Sequence, residues 1–142
     1  MGTPFVDSFE RFNGRRSGAG KPIAVLAHGF GTDHTAWSAL RPWFEQRFEV
    51  ISFDLAGCGP RGAETYDFDR HASLFGYADD LLDILDELEV ERCTYIGHSM
   101  SAMIGALASI ARPERFERMV MIGASPRYLD DDGYLFLTDR RT

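Results

Sequence analysis

The chain has 142 residues, with 22 acidic against 15 basic side chains for a net charge of −7, and 44% of it is hydrophobic. Composition fits one ordinary globular domain over residues 1–142; 13% aromatic content supplies a core and excludes disordered, collagen-like and coiled-coil classes. The acidic balance repels phosphate backbones, and the densest basic stretches are only Arg15-Arg16 and Arg140-Arg141, so no nucleic-acid partner is expected. No stretch approaches the roughly 18 consecutive apolar residues of a membrane span, and the N-terminal residues show no basic or apolar leader, so no membrane partner and no secretory signal are expected. Cys58 and Cys93 are spaced as neither a metal-ligand pair nor a disulfide framework, which suits a reducing, cytoplasmic setting.

Residues 1–22 carry little pattern and read as a lead ending in a glycine-rich loop. Ile23–Ala27 is a short continuous apolar run, as expected of a strand buried on both faces of a parallel sheet. Trp37, Leu40, Trp43 and Phe44 then recur at helical spacing, with Asp33 or Thr35 as the cap. Phe48–Asp54 is a second strand, closed by the turn Gly57-Cys58-Gly59-Pro60. A glycine- and charge-rich loop runs to about Ser73. After it, Leu74, Tyr77, Leu81, Ile84, Leu85 and Leu88 predict an amphipathic helix with a solvated acidic face. Cys93–Ile96 is a third strand, Met100–Ala111 a small-residue helix stopped near Pro113, and Met119–Ile122 a fourth strand. Strands alternating with helices in this order predict an α/β fold with a mostly parallel, doubly wound sheet.

Gly97-His98-Ser99-Met100-Ser101 joins the third strand to its helix, a junction that can hold a serine hydroxyl outward at the sheet's C-terminal edge. At a helix N-terminus, free N–H groups and the helix dipole favour developing negative charge, so the Met100 N–H is placed to bind an acyl oxyanion. A second donor is needed from an earlier loop, and His28-Gly29-Phe30-Gly31 offers the Phe30 N–H. Gly57-Cys-Gly-Pro-Arg-Gly62 matches the dinucleotide pattern G-x-G-x-x-G. No apolar helical period opens there and no acidic strand end follows about 20 residues on, so that reading is excluded.

These motifs resemble the α/β-hydrolase superfamily: G-x-S-x-G as nucleophile elbow, H-G-x-G as oxyanion loop, and D-x-x-G-x-G in Asp54-Leu-Ala-Gly57-Cys-Gly59. Within it, "GFGTDHTAW", "FDLAGCGP", "GYADDLLDILDELEV" and "GHSMSAMIGALASIARPERFERMVMIGASPRYLDD" are most similar to the bacterial sigma-B regulator RsbQ and the plant strigolactone and karrikin receptors. The resemblance implies a cytoplasmic serine hydrolase without cofactor or metal, acting on small esters or lactones, with Ser99 as nucleophile and a protein signalling partner. It departs from the pattern in two places. Ser101 replaces the elbow's last glycine, and no histidine follows Ser99, since His28, His34, His71 and His98 all precede it. The triad acid and histidine therefore fall outside this sequence. The chain reads as the N-terminal half of a hydrolase, catalytically incomplete as written: a truncated product, one part of a split protein, or an excised piece. A non-catalytic signalling or binding module is the alternative.

The remaining candidates carry plainer expectations. His28 orders the oxyanion loop without transferring protons, and His98 bonds locally beside the pocket. His34 and His71 are expected to be solvated, and Asp54 to fix its turn by an Asx-type bond. Trp37, Trp43 and Phe44 are expected in the core and Phe30 at the pocket, while Asp130-Asp131-Asp132 is an exposed turn, not a metal site.

Overall fold

A computed structural model describes residues 7–127. Asp7 caps the first helix, α1 (Ser8–Arg11), its carboxylate accepting from the Glu10 N–H at 2.9 Å. Strand β1 (Arg15–Ser17) follows, then β2 (Ile23–Ala27), a 3-10 turn over His34–Trp37, α2 (Arg41–Glu45) and β3 (Glu49–Ser52). Next come α3 (Gly62–Thr65), a 3-10 turn at Arg70–Ala72, α4 (Leu74–Glu87), β4 (Cys93–His98), α5 (Met100–Ala111), a 3-10 turn at Pro113–Arg115 and β5 (Phe116–Ile122).

The five strands form one sheet in the order β1-β3-β2-β4-β5, parallel throughout except for β1, which runs antiparallel to β3. Because β2, β3 and β4 are central and covered on both faces, β2 reads as an unbroken apolar run and β3 and β4 carry apolar centres at Val50-Ile51 and Tyr95-Ile96. Their side chains still alternate: Val25, Ile51 and Tyr95 join Leu81, Ile84, Leu85 and Ile104 in one core layer. Leu26, Val50 and Ile96 join Trp37 in the other.

Several expectations are corrected here. The described part of the lead, residues 7–22, is structured: the α1 N-terminus donates to the Glu87 carboxylate of α4, and Phe12 is buried in the core with its carbonyl accepting from Asp54 N–H. The helix expected through Trp37 and Phe44 is split into a 3-10 turn and α2; Asp33, not Thr35, is the cap. Trp43 is not core but 51% exposed, its ring stacked under the Arg47 guanidinium at 4.5 Å. The loop before Ser73 contains α3, β3 is shorter than expected, and β5 begins three residues earlier, at Phe116. Asp80 leaves the acidic face of α4 to be buried against Arg70 and His71. Among the described residues nothing pairs with the outer side of β5, where Val120, Met121 and Ile122 are exposed. Asp130-Asp131-Asp132 lies outside the described residues.

Candidate functional site

Strand β4 and helix α5 meet at Ser99, whose φ of 56° and ψ of −121° place a non-glycine residue where side chains crowd the backbone. Such strain persists only if neighbours over-determine it. Ser99 N–H donates to the Ile122 carbonyl of β5 at 2.8 Å, and the Ser99 carbonyl accepts from Ala102 N–H at 3.0 Å. A Cβ on Gly97 would lie 2.6 Å from the Ser101 carbonyl oxygen, so only glycine lets the helix close on the strand. Ser99 is half-buried and Met100 is the first residue of α5, its N–H among those with no partner inside the helix.

The loop after β2 packs against this turn. A Cβ on Gly29 would sit 3.3 Å from Ser99 Cβ and 2.8 Å from His98 Nδ1, so any larger residue there presses on both side chains. Gly31 takes a positive φ of 79°. His28 is fully buried: its Nε2 accepts the Leu55 N–H at 2.9 Å, so the proton sits on Nδ1, which donates to the Gly29 carbonyl at 2.7 Å. Both ring nitrogens are thus committed to holding the loop. Ser101, treated in the sequence only as a departure at the elbow, is fully buried and donates its hydroxyl to the His28 carbonyl, tying α5 to the same loop.

Two open hollows flank the turn. One of about 280 Å³ is lined by His28, Trp37, Leu40, His98 and Ile122. The other, about 540 Å³, is lined by Phe30, Cys58, Tyr66, Tyr77 and Met100 and is mostly apolar. Phe30 is 83% exposed at its rim, and His98 is exposed beside Gly29 and Gly123. Cys58 is half-buried, and desolvation pushes its thiol up, which disfavours a thiolate.

His71 is buried and His34 half-buried, and each is held by a carboxylate that the expectation of solvated rings left out. His34 Nδ1 lies 2.8 Å from Asp54 Oδ1, which also accepts the His34 backbone N–H, and the Asp54 Oδ2 accepts from Asn13. Asp54 therefore fixes the loop after β2 instead of an Asx turn of its own. Asp33, His34 and Asp54 bring three potential ligand atoms within 4.8 Å, with the Asp54 oxygens already engaged by these donors. His71 accepts the Asp67 N–H at Nδ1 and reaches Asp80 Oδ2 at 2.7 Å, its ring between Tyr66 and Tyr77 on the wall of the larger hollow. A buried carboxylate requires a donor, and that is the signal that could have found His34: Asp54 sits between apolar Phe53 and Leu55 in the sequence, whereas Asp80 follows Asp79 and gave no such sign for His71.

A family model for the alpha/beta hydrolase fold matches residues 22–140. The chain belongs to the α/β-hydrolase family. It is 51% identical over 131 residues to a strigolactone esterase from Pisum sativum, aligning 92% of this chain with 48% of that protein. It is also 47% identical over 117 residues to a karrikin insensitive 2 receptor from Petunia hybrida, covering 82% of this chain and 43% of the relative. Among solved structures, a hydrolase from Oleispira antarctica superimposes with a TM-score of 0.82 at 37% identity, over 88% of this chain and 46% of the other. This α/β-hydrolase chain thus spans about half the length of the relatives it matches. No helix among the described residues is long and apolar enough to cross a membrane.

In this α/β-hydrolase, burial holds the His28 pKa below its ordinary value of 6.5. Between the folded value and 6.5 the unfolded chain binds the extra proton, so His28 removes stability as pH falls below 6.5, and removes none above it. Nitrogen-15 NMR of the ring is expected to show the Nδ1–H imidazole giving way to imidazolium with a midpoint below that of an ordinary histidine. A titration midpoint at or above 6.5 would overturn this.

Proposed function

We propose that this chain carries the nucleophile and oxyanion site of a cytoplasmic serine hydrolase acting on small esters or lactones. The observation that carries the reading is the strained Ser99 backbone at the start of α5, packed against the glycine loop that follows β2. The esterase name of the Pisum relative supports the substrate class, and the free Cys58 and Cys93 suit a reducing compartment.

Ser99 Oγ attacks the substrate carbonyl carbon while its proton passes to a histidine base supplied from outside this sequence. The carbonyl π electrons move to oxygen, and that oxyanion is met by the N–H groups of Met100 and Phe30. Collapse expels the alcohol, or opens the lactone ring, with the base returning the proton. Water then releases the acyl group from Ser99 by the same steps in reverse order. Gly29, Gly31 and Gly97 keep backbone close to the reacting carbonyl, and His28 and Ser101 hold the loop's carbonyls away from the oxyanion. His98 lines the smaller hollow beside the Ser99 turn.

Treating the full-length protein with a fluorophosphonate ester should add one phosphonyl group, mapped by peptide mass spectrometry to Ser99. Labelling elsewhere, or undiminished labelling of Ser99→Ala, would overturn the assignment. A second reading, an RsbQ-like signalling module, is favoured by the receptor name of the Petunia relative. In that reading the same pocket binds a small molecule without needing turnover, and Ser99→Ala leaves binding of a protein partner intact.

A further inference from the structure

At the β1 end of the sheet, with β3 and β2 separating it from β4, an open cavity of about 350 Å³ is lined by Arg15, Arg16, Ser17, His34, Arg41 and Glu45. Its charges do not balance. Arg16 is paired with Glu49. Arg41 is held by Glu45 at 2.9 Å and donates to the hydroxyls of Ser52 and Ser17. Nearby Lys21 donates to the Glu45 carbonyl. Arg15 is exposed on the edge strand, and its side chain makes no ion pair or hydrogen bond among the described residues, so one guanidinium stays uncompensated in a protein of net charge −7.

The second unused group is the His34 ring. Its Nδ1 lies 2.8 Å from Asp54 Oδ1, and a carboxylate only accepts, so Nδ1 carries the proton. Nε2 is left with a lone pair and has no partner among the described residues, while the side chain is 14% exposed and Asp54 only 3%. The cavity therefore offers a free cation beside a preoriented acceptor. An ordinary anion satisfies the first and repels the second. Inorganic phosphate satisfies both, because at neutral pH it carries negative charge and retains a proton to donate, whereas sulfate, and a phosphate monoester past its second pKa of about 6, have a similar shape and no proton.

We propose that this cavity binds inorganic phosphate, with Arg15 supplying the charge and His34 Nε2 accepting the anion's own hydrogen. The guanidinium of Arg41, fixed by Glu45 and two hydroxyls, adds positive potential without moving. The site is separate from the Ser99 turn and does not depend on its activity.

Isothermal titration calorimetry of the full-length protein tests this with sodium phosphate, sodium sulfate at matched ionic strength, and glycerol phosphate as a monoester. Phosphate is expected to bind at least fivefold tighter than sulfate. Arg15→Gln should weaken both about tenfold, a substitution that leaves every bond named above in place. His34→Leu should abolish the preference for phosphate over sulfate, and Arg92→Gln should change neither. Glycerol phosphate, mostly a proton-free dianion at neutral pH, should bind no more tightly than sulfate; binding as tight as that of inorganic phosphate overturns the role of His34. Equal affinity for phosphate and sulfate, no phosphate binding, or unchanged affinity in Arg15→Gln overturns the proposal, even if His34→Leu fails to fold.

Discussion

Replacing Ser99 by alanine in the full-length protein lowers kcat for a small ester by at least about 10³-fold and leaves KM nearly unchanged. The magnitude follows from how such sites divide their work. Loss of an attacking serine costs up to about 10⁶ in kcat, while an oxyanion hole and substrate binding retain about 10³–10⁴ over the reaction in water. The Met100 and Phe30 N–H groups are backbone donors and survive the substitution, so binding persists and attack does not. The 142 residues alone carry no histidine after Ser99 and should turn over at that residual level even with Ser99 present. Ser99→Gly separates chemistry from fold. With φ at 56°, glycine relieves backbone strain of about 1–3 kcal/mol, so this variant should be inactive yet melt higher than the parent. Hydrolysis of a p-nitrophenyl ester and calorimetric melting check both; Ser99→Ala activity within tenfold of the parent overturns the role of Ser99.

The turn at Ser99 was legible because its constraints are local. An apolar strand, a glycine and a serine, then a run of small residues, can be joined in few ways, and α5 ends where Pro113 forbids its continuation. Strands β2 and β4 announced themselves because burial on both faces removes polar residues from them. By contrast β1 is Arg-Arg-Ser, an antiparallel edge strand held by backbone pairing to β3, and backbone pairing leaves no trace in side-chain hydrophobicity. His34 and His71 looked solvated because their sequence neighbours are polar. Their partners Asp54 and Asp80 lie 20 and 9 residues away and are brought near only by the fold. Ser101 shows the same limit from the other side: in the sequence it is only a departure from a pattern, whereas its hydroxyl reaches a carbonyl 73 residues earlier in the chain and fastens α5 to the glycine loop.

Gly97→Ala tests how tightly that fastening is drawn. The added methyl would lie 2.6 Å from the Ser101 carbonyl oxygen and 2.8 Å from both the Ser101 carbonyl carbon and the Ala102 nitrogen. All three are backbone atoms of the first turn of α5, so no side-chain rotation relieves the clash. The helix must move as a body, and three contacts oppose it: Tyr95 donates to the Ser101 carbonyl at 2.7 Å, Ser101 to the His28 carbonyl, and Ser99 N–H to Ile122 at 2.8 Å. Overpacking into such a site costs roughly 3 kcal/mol, about a hundredfold in the ratio of folded to unfolded protein. Moving α5 also draws the Met100 N–H away from the oxyanion, so kcat should fall further than the loss of folded protein explains. Denaturant unfolding of the full-length variant, with turnover normalised to its folded fraction, separates the two effects. Gly29→Ala provides the comparison: its methyl would meet the His98 ring at 2.8 Å and Ser99 Cβ at 3.3 Å, and the exposed His98 side chain can swing aside. Stability should therefore fall less than in Gly97→Ala while turnover still drops, because the shifted neighbour is Ser99, the proposed nucleophile. Equal stability losses in the two variants would mean that α5 is free to retreat from β4, and that the Ser99 turn is less tightly held than its bonds indicate.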